Sequence, residues 1–334
     1  MDLEQLVIIY TKDYGTNDVY VKYFCYIDTM KKPNKNILIT GGCGHIGSKL
    51  IRTMPLEYNV TVVDNLLTQR YSSLFNIGRP ITFIDKCISE ITVKDLANID
   101  VVIHLAAITD AAGSFENKTQ TENINLTLTS VFIDKCEKAN CKIIFPSSTS
   151  VYGTAADIVY EDNDDFLNPQ SPYATSKIAI ENKLKKYKND YVVLRFGTIF
   201  GISVGMRFHT AINKFCYEAS LNKPLTVWKE NYNQYRPYLG LNDAMSSIIF
   251  FLENPNHWNQ TYNVLTGNYM LKDIVETIGS LVDIKVKMVN TPLLNQYSYH
   301  VSDEKLKALC CPSHDNLEQE IINTIKQFKD LNNG

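Results

Sequence analysis

The chain has 334 residues, enough for one large domain or two of medium size, and at 45% apolar it can fill a proper core. A net charge of −3 gives no bias towards nucleic acid or an anionic membrane surface, and no apolar run approaches the ~20 residues a bilayer span needs. The eight cysteines include no C-x-x-C pair and no regular framework, so they read as reduced thiols of a cytoplasmic protein; Cys310, Cys311 and His314 lack a second ligand cluster, and no metal site is expected.

Residues 1–34 precede the first clear strand. They carry two apolar stretches, 7–10 and 19–26, without a basic leader or a long apolar core, so no signal peptide is expected and the extension is given no role. The stretch 36–50 (NILITGGCGHIGSKL) follows. Ile37, Leu38, Ile39 and Thr40 predict a short buried strand, and an apolar period opens a helix at Ile46. Gly41, Gly42, Gly44 and Gly47 lie between and within them. A strand that ends, a tight turn and a helix with its free N–H groups outward are what a pyrophosphate needs. Gly41 and Gly44 suit backbone that bends and approaches such an anion, and Gly47 lets the helix pack hard on the strand. The spacing is G-x-x-G-x-x-G, and glycine also serves ordinary turns, so a second signal is required. It comes at the end of the next β-rich run, 59–63 (NVTVV), where Asp64 follows Gly47 by 17 positions. A carboxylate there accepts hydrogen bonds from a ribose diol and repels the 2′-phosphate of NADP; no arginine follows until Arg70. The cofactor expected is NAD.

The alternation continues through strands at 81–84 and 101–105. Leu105, Ala106 and Ala107 end the second of these, and small residues there allow backbone to lie against a flat cofactor. A long helical pattern spans 116–140, a strand 142–145, and the loop Ser147-Ser148-Thr149-Ser150-Val151-Tyr152-Gly153 leaves the strand's carboxyl end, the edge of a parallel sheet where ligands bind. An acidic loop leads to Ser171-Pro172-Tyr173-Ala174-Thr175-Ser176-Lys177, which opens another helix, and 191–196 (YVVLRF) is a sixth strand. This spacing predicts an α/β fold with a doubly wound, parallel Rossmann sheet over 35–200. Beyond Gly201 the segments shorten and carry Arg207, Trp228 and Arg236; 201–334 is expected to form a smaller substrate-binding domain. Residues 261–265 return to the large sheet, and 316–331 form an amphipathic helix.

Tyr173 and Lys177 stand four apart and share a helix face. A tyrosine hydroxyl titrates near ~10, too high for a base at neutral pH. A lysine ammonium one turn away, with a nicotinamide cation, favours the phenolate and makes Tyr173 a usable general base. Ser148 can hydrogen-bond the same substrate hydroxyl, and Lys177 can hold the nicotinamide ribose. Alone, Y-x-x-x-K is ordinary helix composition; its order after the glycine turn, Asp64 and the Ser148 loop is what gives it weight.

Together the motifs TGGCGHIG (40–47), VVDNL (62–66), HLAA (104–107), NLTLT (125–129), SSTSVYG (147–153), SPYATSK (171–177), LRFGTIFG (194–201) and RPYLGLND (236–243) resemble the extended short-chain dehydrogenase/reductases of the NAD-dependent epimerase/dehydratase family, over about residues 36–265. The resemblance implies NAD bound by Gly41, Gly44, His45, Ile46, Gly47, Asp64, Asn65, Leu105, Ala106, Ala107, Asn125 and Lys177, with Ser148, Tyr173 and Lys177 catalytic. It implies a nucleotide-diphosphate sugar as partner, held in part by Ser148, Thr149 and Thr198. It also implies a homodimer through the 116–140 and 173–188 helices, and transient oxidation of a sugar hydroxyl, usually at C4.

Family dehydratases place Asp-Glu directly after the catalytic Ser/Thr, whereas Thr149-Ser150 follow Ser148 here; the 3,5-epimerases carry a cysteine in this loop, absent here. That leaves 4-epimerisation first, and a net 4-dehydrogenase or reductase second, a reading that GMRFH (205–209) keeps open. A non-catalytic NAD-binding regulator is the third reading, opposed by the intact Ser148, Tyr173 and Lys177. The chain departs from the family at Cys87, in the place of an adenine-touching Asp, at Thr198 in the place of an Asn, at Gly240 in the place of a His, and near 297, where an arginine is missing. Arg207 and Arg236 are therefore the expected diphosphate ligands, because guanidinium forks suit phosphate oxygens, and Trp228 is expected to stack on the nucleobase.

Overall fold

β1 (Asn36–Thr40) is buried from Ile37 to Thr40, as a strand flanked on both sides and covered on both faces must be. The computed structural model that shows this describes residues 35–111, 113–153, 158–290 and 298–330; the extension 1–34 and the position near 297 lie outside the described residues. β1 pairs in parallel with β2 (Asn59–Asp64) on one side and with β4 (Val101–His104) on the other. β3 (Thr82–Asp85) extends the first side. β5 (Lys142–Ser148), β7 (Tyr191–Phe196) and β11 (Gln260–Val264) extend the second, across which the two-residue β6 (Ile158–Val159) is not a member. The order β11-β7-β5-β4-β1-β2-β3 is parallel throughout and reverses direction between β1 and β4, so a crevice opens at the carboxyl ends of those two strands.

Helices cover both faces. On one, α1 (His45–Thr53) contributes Leu50 and Ile51 to a core shared with the first sheet residues. On the other, Phe132 and Ile133 of α3 (Thr129–Lys138) and Ile180 and Leu184 of α4 (Pro172–Leu184) pack on Val102, Ile143 and Val193. Each such buried Ile, Leu or Phe contributes ~1.5–3 kcal/mol. α4 starts where its sequence says it should: Ser171 caps it, accepting the Ala174 N–H at 3.2 Å, and Pro172 fills the first turn.

The helical pattern over 116–140 proves to be three pieces. α2 (Lys118–Glu122) leads into a π-turn, Asn123–Leu128, and then α3. The wider turn is stabilised by Thr129, whose hydroxyl donates to the Ile124 carbonyl at 3.0 Å.

The remaining elements form a further apolar cluster. β8 (Thr198–Phe200) and β12 (Gly267–Met270) flank β10 (Tyr235–Gly240), while β9 (Leu225–Trp228) pairs with β13 (Val286–Val289) and β14 (His300–Val301) with β6. Ile212 and Phe215 of α5 (Ala211–Ser220), Ile274 and Ile278 of α7 (Leu271–Leu281), and Ile321 and Ile325 of α9 (Leu317–Asp330) pack together there. α6 (Leu241–Glu253) lies on the large sheet, and the short α8 (Glu304–Lys307) completes the set.

Gly240, one of the departures noted above, has a local cause. A Cβ at that position would overlap Asp315 Oδ2. Asp315 accepts the Asp243 N–H at 3.0 Å and the Asn242 amide at 2.8 Å, while Asp243 accepts the His314 N–H at 2.6 Å and the Thr266 hydroxyl at 2.6 Å. Asp315 thus caps an N–H at the start of α6 and Asp243 sits in its first turn, where the helix dipole favours both carboxylates. Gly240→Ala forces this turn apart, and its thermal unfolding should show a loss of ~1–3 kcal/mol, a Tm several degrees lower; an unchanged Tm contradicts this account of the glycine.

Candidate active site

A cavity of about 760 Å³ opens at the carboxyl edge of the sheet, over the reversal between β1 and β4. One end is built from backbone. Gly41 has φ +68°, and a Cβ there would lie 2.7 Å from Ala106 Cα, so the turn after β1 and the end of β4 touch without side chains between them. A Cβ on Gly47 would lie 2.5 Å from Gly42 Cα and 2.7 Å from the Gly41 and Gly42 carbonyl oxygens. The first turn of α1 therefore faces the cavity through Gly44, His45, Ile46 and Gly47, and no side chain caps it. Its N–H groups have no partner within the helix, as suits an anion.

Asp64 ends β2 at the cavity wall. Its carboxylate accepts the N–H of Cys43 at 2.9 Å and of Leu66 at 2.8 Å, which fixes both oxygens at the rim beside Asn65. Leu105, Ala106 and Ala107 form the floor, and Ala106 N–H donates to the Thr40 hydroxyl at 3.2 Å. Asn125 is the one candidate that does not face the cavity. Its amide spans the main chain of Ile108, accepting from N–H and donating to C=O at 2.8 Å each, so it braces the wall from behind. The cradle, the uncapped helix start and the acidic rim fit a dinucleotide.

His45 is buried, and its Nε2 has no hydrogen-bond partner among the described residues, while Nδ1 lies 3.3 Å from the Ser203 hydroxyl. Burial, then the charges of Arg207, Arg70 and His209, hold it neutral, lowering its pKa to about 3. Burial and then the charge of Arg70 likewise lower the pKa of Arg207, which has no ion pair or hydrogen bond from its guanidinium among the described residues. Two arginines whose charges bear on each other within one cavity favour an anionic ligand, with Asp110 and Asp64 offsetting them in part. Arg236 is differently placed. It donates to Gln234 Oε1 at 2.9 Å and stacks over the Tyr299 ring at 5.6 Å. Thr198, Trp228 and Arg236 all line this same cavity.

The other end holds the polar constellation. Ser148 Oγ accepts from the Ser150 hydroxyl at 2.9 Å and the Ser150 N–H at 3.2 Å, which leaves its own proton free to donate. Burial pushes the Tyr173 phenol up to about 12, opposed by its hydrogen bond with Ser148 and by the charge of Arg207. Lys177, expected from the sequence to favour the phenolate, has its Nζ 5.7 Å from the Tyr173 ring centre and donates to the Pro146 carbonyl at 2.7 Å. Burial lowers its pKa to about 8, and Glu181 opposes that shift. Thr149 is buried, its hydroxyl turned to the Phe196 carbonyl at 3.3 Å.

Several residues of this site were not among those the sequence singled out as site residues. His104, at the end of β4, sits between the hydroxyls of Thr40 (2.8 Å) and Thr129 (3.2 Å), and burial followed by the Lys177 charge lowers its pKa to about 3. Tyr299 donates to the Thr149 carbonyl at 3.1 Å from 150 residues away. Asp110, Arg70 and His209 also line the cavity. Of these, His104 heads the HLAA motif and His209 ends GMRFH, whereas nothing local marked Asp110 or Tyr299.

A family model described as the NAD dependent epimerase/dehydratase family matches residues 37–264, well over half of the chain. A putative UDP-glucose 4-epimerase of Methanocaldococcus jannaschii is 28% identical over 241 residues, 69% of this chain and 77% of the relative. The trifunctional UDP-glucose 4,6-dehydratase/UDP-4-keto-6-deoxy-D-glucose 3,5-epimerase/UDP-4-keto-L-rhamnose-reductase of Arabidopsis thaliana is 27% identical over 328 residues, 90% of this chain; the chain spans about half the length of that relative, 48%. Among solved structures, the UDP-N-acetylglucosamine 4-epimerase of Methanobrevibacter ruminantium M1 in complex with UDP-N-acetylmuramic acid superposes with a TM-score of 0.80 at 26% identity, covering 90% of this chain and all (100%) of that one. No helix among the described residues is long and apolar enough to cross a membrane.

Because the atoms that meet a Cβ on Gly47 are main chain, they cannot yield. Gly47→Ala should retain its circular dichroism but lose bound NAD, the nucleotide released on denaturing the purified protein falling about tenfold or more, a loss of at least ~1.4 kcal/mol in affinity. Full NAD content in the folded variant contradicts the backbone cradle.

Proposed function

The chain belongs to the NAD dependent epimerase/dehydratase family, and on that premise we propose that it is a nucleotide-sugar 4-epimerase. The observation that carries this reading is the Ser148 loop. A 4,6-dehydration, one activity in the name of the plant relative, requires an acid and a base beside the sugar once C4 is a ketone. The residues after Ser148 are Thr149, turned to a main-chain carbonyl, and Ser150, turned to Ser148 itself. Among the described residues, the carboxylates lining the cavity are Asp64, at the dinucleotide end, and Asp110, which accepts the Gly113 N–H at 2.9 Å. The residues beside the sugar thus support proton exchange at one hydroxyl and give no support to elimination.

In this reading a nucleotide-diphosphate sugar lies with its C4 hydroxyl between Ser148 and Tyr173. NAD, when bound, supplies the acceptor and donor of the C4 hydride. Tyr173 takes the hydroxyl proton, and Ser148, with its free O–H, bridges phenol and sugar oxygen. A phenol pushed up to about 12 is a poor base in the empty site, so the reading requires a cationic ring beside it to complete what Ser148 and Arg207 begin. Lys177 holds the ribose hydroxyls and adds its charge. The cavity would leave a 4-keto sugar room to turn over, and Tyr173 would then return the proton to the C4 oxygen.

Arg207 and Trp228 are assigned to the nucleotide diphosphate and base, with Arg236 beside them on the ring of Tyr299. The names of the archaeal relatives support a UDP-hexose. A homodimer through the outer faces of α2, α3 and α4, where Val131 is exposed, belongs to the same reading. The second reading, a net 4-dehydrogenase, differs in cofactor accounting alone.

Two measurements separate these outcomes. Supplied with UDP-sugars one at a time, the purified protein should convert one to its C4 epimer by NMR with no lasting near-ultraviolet absorbance from reduced nicotinamide; a lasting rise means a dehydrogenase. Tyr173→Phe should lower kcat by roughly 10²–10⁴-fold while NAD stays bound; a fully active variant contradicts the mechanism.

A further inference from the structure

Three residues of α4, each four apart, engage three consecutive residues at the end of β5. Tyr173 lines the cavity beside Ser148, which bears on its phenol, Lys177 donates to the Pro146 carbonyl at 2.7 Å, and Glu181 accepts from the Ser147 hydroxyl. The first two contacts belong to the site described above. The third has no place in it, because Glu181 is almost wholly buried beneath the cavity and does not line it.

Glu181 is held from a second direction. Arg195 of β7 is the register partner of Ser147 on β5, so both side chains leave adjacent strands at the same level towards α4. Its guanidinium grips the carboxylate in a fork, Nη2 to Oε2 at 2.7 Å and Nε at 3.2 and 3.3 Å. The arginine is in turn committed through Nη1 to the Tyr152 hydroxyl at 3.0 Å, which donates to Asn263 of β11 at 2.7 Å. The carboxylate therefore reads the relative height of β5 and β7 and transmits it to one face of α4. A fork of this kind has little freedom to slide.

We propose that Glu181 is a positioning residue for the Ser148–Tyr173–Lys177 site, acting through the buried Ser147–Glu181–Arg195–Tyr152 chain that locks α4 in register with the end of β5. The inference rests on the assignment of those three residues in the proposed function. It has an electrostatic side as well. The groups facing Lys177 are His104 from β4, held neutral, the Phe145 ring and Pro146 carbonyl from β5, and Tyr173 and Glu181 from α4, with Arg207 bearing on Tyr173. Glu181 is the anion among them. Its charge favours the ammonium and opposes the burial that lowers the Lys177 pKa to about 8. Without it that pKa falls further, and activity that needs the cation is lost at a lower pH.

The test uses the full chain loaded with NAD, labelled at the lysine ε-carbon, with the Lys177 signal identified by its loss in Lys177→Arg. In Glu181→Gln the Lys177 titration midpoint should drop by about one pH unit, and kcat should fall about tenfold or more with KM little changed, its alkaline limb moving to lower pH by the same step. If leaving Arg195 unpaired prevents folding, the double variant Glu181→Gln/Arg195→Met is used, with the same expectation. A folded, NAD-bound variant whose Lys177 midpoint stays put, or whose kcat stays within about twofold of the parent, overturns the proposal. If the parent turns over no nucleotide sugar, the functional reading fails, and the midpoint alone decides the positioning role.

Discussion

Lys177 is an ammonium buried against a hydrophobic strand, and the chemistry proposed for this cavity depends on its being tolerated there. Burying an ammonium costs several kcal/mol unless other groups replace its water. Here a main-chain carbonyl, the face of Phe145 and the Glu181 charge do so. Each of them requires α4 to lie close along β5, and that closeness comes from apolar packing: Ile180 and Leu184 on Ile143 and Val193, with Cys136 and Phe132 beyond. The packing face and the reacting face of α4 are thus two stripes of one helix. Small loss of register on the first would misplace the second, which is why a buried ion pair between strand and helix is informative where a surface pair would not be.

The dinucleotide end obeys a different constraint. It is shaped by main chain meeting main chain, Gly41 on Ala106 and Gly47 on Gly42, and side chains enter chiefly as braces. Asp64 orders the turns on either side of it, and Asn125 holds Ile108 from behind. Two arginines then gather above this cradle, Arg70 and Arg207, and burial with their charges shifts His45 and His209 towards the neutral form. The two ends share one cavity, and in the proposed function a cofactor ring and a sugar ring meet where the backbone cradle gives way to Ser148 and Tyr173.

What was legible in the sequence was what is local. A strand, three glycines at three-residue intervals and a helix can be read from fifteen consecutive residues, as can a tyrosine and a lysine on one helix turn. The parallel order of the sheet followed from the alternation of apolar runs and helical periods. What could not be read depends on contacts between distant segments. Nothing near Asn125 announces a π-turn or a partner at Ile108, and nothing near Gly240 announces Asp315. Tyr299 reaches Thr149 across the chain, and Glu181 meets Arg195 only because β7 lies beside β5. The spacing placed Lys177 beside Tyr173, but it gave no hint that the ammonium would bond the Pro146 carbonyl or that Arg207 would act on the phenol.

The central claim is that hydride leaves C4 of a nucleotide sugar and comes back to the same carbon. A UDP-hexose carrying deuterium at C4, incubated in ordinary water, tests it most directly by NMR and mass spectrometry of the product. The account predicts an epimer that keeps its deuterium at C4, with no hydrogen taken from water. Loss of the label to solvent, or its transfer to C6 of a dehydrated sugar, would contradict it.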